Sequence, residues 1–462
     1  MERLKLGCND AGNRGNSVQA QVMLSHSVLP KGRPGKLWAV IKLSSGPKQQ
    51  GAVERLPLNV GVVLDRSGSM GGRPLDYVKQ AAKFLVEQVG ANDVLSLTVF
   101  DDQVDVVFPS QRVTNKDVLK QAVDSIYAGG STNLSGGLLH GYGEAMTECR
   151  PEQVNRVLLL TDGMANAGIV DPDMLEGKVS AMMRKGVSLS TVGVGLHFNE
   201  DLLIRLAEAG NGSYYYVREP DEIPSVFASE LQGLVSVVAQ NIGLEVHGLS
   251  GCRATAVLGY RPAFDDTGMS LTLPDMFHDE QKLLAVEVDY PALAAGEHEV
   301  LRIRLSYADA AHDLGAVSLE VTAKMSAGSA GDQPEGPDFE VLKIVELART
   351  AIVKDQSVEA IDRGDLESGR RALEERLTAL RELQETHGQG DADIEEEISN
   401  LERMSVQDPG RFSACFDAGS RKDLRYQSYQ TRRNRPTNRP TSRPTSRPTS
   451  SPTSSPTNRS EK

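Results

Sequence analysis

The run Leu58 to Leu64 (LNVGVVL) is apolar at all but one side-chain position, contains no charge, and stops at Asp65. A strand of this kind cannot show one face to water. It must be covered on both sides, which is the condition of a strand inside a parallel sheet flanked by helices. The following sequence repeats the theme. VLSLTVF at 94–100 and VDVVF at 104–108 are joined by Asp101, Asp102 and Gln103 as an edge hairpin, and RVLLLTDG at 156–163, SLSTVGVG at 188–195 and SYYYV at 213–217 supply further strands. Between them, Pro74 to Val89 and Asp173 to Arg184 carry apolar residues at three- and four-residue spacing. Strand and helix in alternation predict a mostly parallel, Rossmann-like α/β sheet over residues 55–238.

The flanks follow a different period. VQAQVMLSH and KLWAVIKLSS, near the N-terminus, read as two strands, too few to hold a core. After Ala239 come IGLEVHGL, ATAVLGYR, SLTLP, QKLLAVEVDYP, HEVLRIRLSYAD and GAVSLEVTAKM, separated by Gly, Asp and Pro. One β-sandwich built from both flanks, residues 15–50 and 240–325, with the α/β unit inserted into it, satisfies both sets. Ser326 to Pro337 reads as a linker. Residues 338–405 read as two or three antiparallel helices, with Leu373, Leu377, Leu380 and Leu383 on one face and breaks at Gly364 and Gly388. Residues 431–462 repeat Pro-Thr-Asn/Ser-Arg/Ser, which blocks helix and ladder and offers no apolar side chain, so a disordered tail is expected.

Charge separates tail from body. The chain of 462 residues has net charge −13, but the last 32 residues hold eight Arg/Lys and one Glu, leaving the body at −20. Such a body argues against nucleic-acid binding by the folded part, while the basic tail could tether an acidic partner or serve as plain extension. No apolar run is long enough to span a bilayer. Seven residues precede Cys8 and include Glu2, Arg3 and Lys5, which leaves no apolar signal region. Cys8, Cys149, Cys252 and Cys415 are scattered without metal or disulfide spacing, so reduced thiols and a cytoplasmic location are expected.

At the end of the first buried strand stands Asp65-Arg66-Ser67-Gly68-Ser69, a D-x-S-x-S pattern. Oxygen donors at alternate positions of a turn can converge on one point, and hard oxygens suit a hard cation. Two more loops at strand ends offer oxygens: Gly129 to Asn133, and Thr161-Asp162-Gly163. Taken singly, Ser67 and Ser69 could cap the helix near Arg73, and Asp162 could occupy a tight turn. All three segments on successive strand-to-helix loops favour convergence.

In LNVGVVLDRSGSM, GGSTNLSGGL and VLLLTDGMAN the sequence resembles the von Willebrand factor type A domain family, with its metal-ion-dependent adhesion site in complete form. The resemblance implies that Ser67, Ser69 and Thr132 coordinate Mg²⁺, with Mn²⁺ as the alternative, and that Asp65 and Asp162 complete the shell, partly through water. It further implies that the remaining position takes a carboxylate from a partner protein. Mostly neutral hydroxyl donors would leave the cation electrophilic enough for that. The whole arrangement, including SVVAQNIGLEV at 236–246, looks like bacterial proteins that hold such a domain within β-rich sequence. Inter-alpha-trypsin inhibitor heavy chains are a more distant likeness.

The expected function is therefore a metal-dependent protein-binding module or adaptor, with the loops at Met70 to Arg73, Gly130 and Met164 to Gly168 setting specificity. Cell-surface adhesion is the alternative within the binding class. A Mg²⁺-dependent phosphoryl-transfer enzyme is the alternative outside it, but such enzymes resemble D-x-D, and here Ser67 stands where the second acid would be. No G-x-S-x-G, Walker A or H-E-x-x-H pattern occurs. His140 and His197 are read as surface or packed residues.

Overall fold

The computed structural model describes residues 16–47, 55–310, 312, 314–328, 337–387, 390–404 and 416–433. The chain opens with β1 (Val18–Leu24), β2 (Val28–Pro30) and β3 (Gly35–Ser45). Leu37, Ala39, Ile41 and Leu43 alternate along β3 and all face the sandwich core.

The α/β unit follows. Its strands are β4 (Leu58–Asp65), β5 (Val94–Phe100), β6 (Val104–Arg112), β7 (Val154–Thr161), β8 (Ser188–Val194) and β9 (Asn211–Val217). Their order is β6-β5-β4-β7-β8-β9, parallel throughout except for β6, which pairs antiparallel with β5. Every residue of β4, β5 and β7 is buried, as their apolar runs require, including Asp65 at the end of β4 and Arg156 within β7. The helices are α1 (Arg73–Gln88), α2 (Lys116–Asp124), α3 (Leu134–Thr147), α4 (Pro172–Met183), α5 (Glu200–Ala209) and α6 (Ile223–Leu234). Val60, Val62 and Leu64 pack with α1 and α6, whereas Val63, between them in sequence, packs with α3 on the other face. The helix starts are written locally: Asn115, Asn133, Asp171 and Asn199 each accept a hydrogen bond from the backbone N–H three residues on.

Past α6 the chain re-enters the sandwich with β10 (Val237–Gly248), β11 (Arg253–Val257), β12 (Ala263–Phe264), β13 (Met269–Leu273), β14 (Met276–Phe277), β15 (Gln281–Tyr290), β16 (Gly296–Asp309) and β17 (Gly315–Gly328). One sheet runs β1-β3-β15-β11 and the other β12-β13-β10-β16-β17-β2, with β14 also on β10. Each sheet thus contains strands from both sides of the insertion. Arg156 of β7 ties the two units, donating to Asp275 at 3.0 Å and to Ser190 at 3.3 Å, with all three residues buried.

The C-terminal part is helical: α7 (Phe339–Asp362), α8 (Leu366–His387), α9 (Ala392–Met404) and α10 (Ala418–Arg432). Leu373, Leu380, Ile394 and Leu401 share a core with Val358 of α7. Gly364, at φ +84°, makes the turn from α7 to α8 that a residue with Cβ resists. On its other side, α7 sets Val341 and Val345 against Val40 and Ala285, covering the outer face of the first sandwich sheet.

Two sequence boundaries shift. β17 continues through Gly328, into the expected linker, because its alternation carries Met325 and Ala327 into the core. The expected tail begins inside α10, a helix that the apolar pattern does not announce. Its buried residues are mainly Lys422, Arg425, Ser428, Tyr429 and Gln430, which read as polar sequence but bury aliphatic stems and rings. The remainder of the tail, from residue 434, lies outside the described residues, as do Cys8, Gly388 and Cys415. Among the described residues no helix is long and apolar enough to cross a membrane.

Candidate metal centre

The five oxygen-bearing residues singled out in the sequence stand at the carboxyl ends of β4 and β7 and on the loop before α3. Asp65 is the last residue of β4 and is fully buried. Its Oδ1 accepts from the backbone N–H of Ser67 at 2.8 Å, and its Oδ2 accepts from Thr161 Oγ1 at 2.5 Å. Both oxygens are therefore held in place, one by the turn after β4 and one by the end of β7. Ser67 Oγ lies 3.2 Å from Ser69 Oγ, and Ser69 Oγ donates to Asp162 Oδ1 at 2.8 Å. Thr132 enters from the third side: a Cβ placed on Gly163 would fall 2.9 Å from Thr132 Oγ1 and 3.6 Å from Asp65 Oδ2. Gly163 thus lets the Asp162 loop close on both. Asp65, Ser67 and Thr132 form a buried floor, Asp162 is half-buried, and Ser69 is exposed, so the cluster opens to solvent on one side.

The serines are not spent as helix caps. Gly72 occupies the N-cap of α1, and the single 3₁₀ turn at Gly68–Met70 has no side-chain cap bond. Met70, fully buried, pins that turn to the core below.

Backbone bonds lace the loops together. Gly129 N–H donates to Arg66 O at 2.7 Å, Gly68 N–H to Gly130 O at 2.9 Å, and Asn166 N–H to Thr132 O at 3.2 Å. Asp101, at the end of β5, acts as the post: it accepts from the N–H groups of Gln103 and Gly130 and pairs with Arg66 at 3.2 Å. A Cβ on Gly129 would lie 1.7 Å from Asp101 Oδ2, so that approach depends on glycine. Despite burial, these hydrogen bonds and the Arg66 charge hold the Asp101 carboxyl below the usual range.

The electrostatics point the other way at the centre. Burial pushes the Asp65 carboxyl up to about 6, against the bonds from Ser67 and Thr161, and the nearby charge of Asp162 adds to the rise. Burial also raises Asp162, opposed by the Ser69 bond and by the charge of His197. Two carboxylates and three hydroxyls face one another, and Arg66 is engaged with Asp101 and Asp105. This donor set fits a hard divalent cation, which would reverse the rise at both acids. Among the described residues there is no cluster of three or more His, Cys, Asp or Glu able to hold a metal.

Sequence reading placed Asp101 in an edge hairpin, named Thr161 only as part of its loop and read His197 as a surface or packed residue, assigning none of them a part in the centre. Asp101 and His197 lie at or just beyond the carboxyl ends of β5 and β8, where the rule that located the other loops could have found them. His140 is exposed on α3, its Nδ1 3.1 Å from Gly136 O, and is not part of the cluster. A separate cleft of about 850 Å³ lies where the α/β unit, the sandwich and α10 meet. Three of its cations are already paired: Arg205 with Asp173 and Glu176, Arg432 with Asp355, and Arg433 with Glu208.

Residues 59–229 match the family model described as von Willebrand factor type A domain. The chain is 28% identical over 305 residues to the Synechocystis sp. protein sll0103, covering 64% of this chain and 71% of that one. It is 34% identical over 196 residues to YfbK of Escherichia coli, but spans only 34% of that protein. The likeness to inter-alpha-trypsin inhibitor heavy chains is also found, at 30% identity to heavy chain H3 of Homo sapiens over 40% of this chain and 21% of that one. Among solved structures, the von Willebrand factor type A protein from Catenulispora acidiphila superposes with a TM-score of 0.71, covering 90% of this chain and 97% of that one. At 17% identity that likeness carries the fold alone.

Proposed function

We propose that the von Willebrand factor type A domain at residues 59–229 is a metal-bridged protein-binding module, with Asp65, Ser67, Ser69, Thr132 and Asp162 holding Mg²⁺ or Mn²⁺. The observation that carries the reading is the convergence of these residues from three loops around two carboxylates, neither of which pairs with a Lys or Arg among the described residues. A bound cation supplies an electrophilic position that an Asp or Glu of a partner protein can fill. The chain's own residues do the rest. Thr161 and the Ser67 N–H fix the Asp65 carboxylate, Asp101 holds the Gly129–Gly130 loop against Arg66, and exposed Ser69 marks the side on which a partner approaches.

This is ligation without turnover: Ser67 occupies the place of the second acid that phosphoryl transfer would use. Cys149 and Cys252, free thiols, support a reducing, cytoplasmic setting. The test is titration calorimetry of the full chain with Mg²⁺ beside pulldown in Mg²⁺ and in EDTA, using Asp65→Ala as control. Partners lost with EDTA and with the variant support the reading. Partners retained in all samples would place recognition elsewhere in the chain.

A further inference from the structure

Nine large apolar side chains stand exposed among the described residues, and four of them, Val106, Val118, Phe264 and Leu366, are scattered over β6, α2, β12 and α8. The other five are Tyr127, Met164, Val170, Met174 and Leu196, with exposures between 43 and 75%. All five lie on the carboxyl-end loops or the first turn of α4, the same end of the sheet as the metal centre.

Contacts of neighbouring residues locate the loops. Tyr127 precedes Ala128, whose Cβ would stand 3.6 Å from a Cβ on Gly71, two residues past the D-x-S-x-S turn. Met164 lies between Gly163, which touches Thr132, and Asn166, which donates to Thr132 O. Val170 follows Ile169, whose N–H donates to Ser135 Oγ at 2.7 Å, and Met174 donates its N–H to the Asp171 cap. Leu196 lies just past the end of β8 and follows Gly195, whose N–H donates to Val217 O at 2.8 Å at the end of β9. Exposed apolar side chains thus stand on the loops after α2, β7 and β8, at the same end of the sheet as the oxygen cluster. Single exposed apolar residues need no explanation, but their concentration at one site does.

We infer that this rim selects the partner: the occupant is a protein loop whose Asp or Glu is flanked within a few residues by large apolar side chains. The inference rests on the metal-bridged reading above, since the cation at the centre is what demands the carboxylate. A purely acidic loop would leave the rim facing water. A purely apolar one would leave the centre without its ligand. An acid set among apolar residues satisfies both, and truncation of anchoring side chains beside a central ligand costs most at such contacts.

The experiment uses the full chain and a displayed nonapeptide library with Asp or Glu fixed at the middle position. The library is panned in Mg²⁺ and eluted with EDTA, and the best peptide is then titrated. Mg²⁺ binding is measured separately by calorimetry. The expected result is enrichment of Leu, Ile, Met, Phe or Tyr beside the acid. In addition, Tyr127→Ser/Met164→Ser/Leu196→Ser should weaken the best peptide by about tenfold or more, the scale of losing hot-spot side chains, with Mg²⁺ affinity unchanged. Val106→Ser/Phe264→Ser, away from the rim, should leave both unchanged.

Normal Mg²⁺ binding with no apolar preference, or with a rim variant that binds as well as wild type, overturns the inference and leaves the metal reading standing. Absence of Asp65-dependent Mg²⁺ binding overturns both. A Mg²⁺-dependent dimer that the rim variant abolishes would give the surface to a second copy of this chain and overturn the assignment to a partner loop.

Discussion

Asp65→Asn should act with opposite sign in the absence and presence of metal. Asparagine keeps the shape and can still accept from Ser67 N–H while facing Thr161 Oγ1, so the loop need not move. What it removes is a buried negative charge. Raising a carboxyl from its ordinary value near 4 to about 6 means that at neutral pH the ionised side chain costs the folded state roughly 3 kcal/mol relative to the unfolded chain. In EDTA the variant should therefore be more stable than wild type by up to that amount. At roughly 2–4 °C per kcal/mol for a unit of this size, its calorimetric transition should rise by up to about 6–12 °C. In Mg²⁺ the order should reverse. Wild type gains about 4.1 kcal/mol when the cation is at a thousand times its dissociation constant, more than the cost of the buried charge, and the variant gains little because one ligand is neutral. Scanning calorimetry of the full chain in EDTA and in Mg²⁺ reads both effects. A variant less stable than wild type in EDTA would refute the claim that burial strains the charge. An unchanged Mg²⁺ shift would remove Asp65 from the centre.

Three further outcomes follow from contacts outside the ligand set. Gly129→Ala puts a methyl 1.7 Å from Asp101 Oδ2, so Mg²⁺ affinity measured by calorimetry should fall about tenfold or more, the scale of losing a group that orients ligands, with circular dichroism unchanged. Tyr429→Phe removes the hydroxyl that accepts from Tyr214 N–H at 3.1 Å and should cost about 1–3 kcal/mol, with faster exchange of the Tyr214 amide. Tyr429→Ala also loses the edge-on ring contact to Tyr214 and should cost about 3–5 kcal/mol by denaturant titration. Arg156→Met leaves Asp275 buried without its cation and should destabilise by about 3–5 kcal/mol, whereas adding Asp275→Asn should recover much of the loss.

The parts of the fold legible in the sequence are those whose cause is local. LNVGVVL is buried because it has no polar face to offer, and the helices read at Pro74 and Asp173 begin at Arg73 and Pro172. The D-x-S-x-S turn is equally local, which is why its oxygens can be named from the residues of the turn alone. Long-range causes are not legible. Nothing in residues 418–432 says that Tyr426 and Tyr429 pack with the α/β core, because the partners that bury them are about 200 residues away. Nor can spacing show that Asp101 holds Gly130, since that contact joins loops that only the sheet order brings together.

Those long-range contacts also decide how the metal centre is connected to the rest of the chain. His197 is followed by Phe198, whose carbonyl accepts from Lys422 Nζ at 3.2 Å and whose ring lies 3.7 Å from the same ammonium. Lys422 belongs to α10, and its neighbour one turn away, Arg425, pairs with Asp201 of α5 and Asp362 of α7. The loop after β8 that carries His197 is thus held from behind by a helix that also grips the C-terminal bundle. An isolated α/β unit would keep the D-x-S-x-S turn, whose supports are all within it. It would lose the anchor of the His197 loop and leave Tyr214 without the two tyrosines that close its edge. The sandwich enters differently, through the buried Arg156–Asp275 pair under β7, the strand that ends next to Asp162. The loop after β8 is therefore braced by sequence outside the inserted unit, which gives the C-terminal helices a mechanical part in holding that end of the sheet.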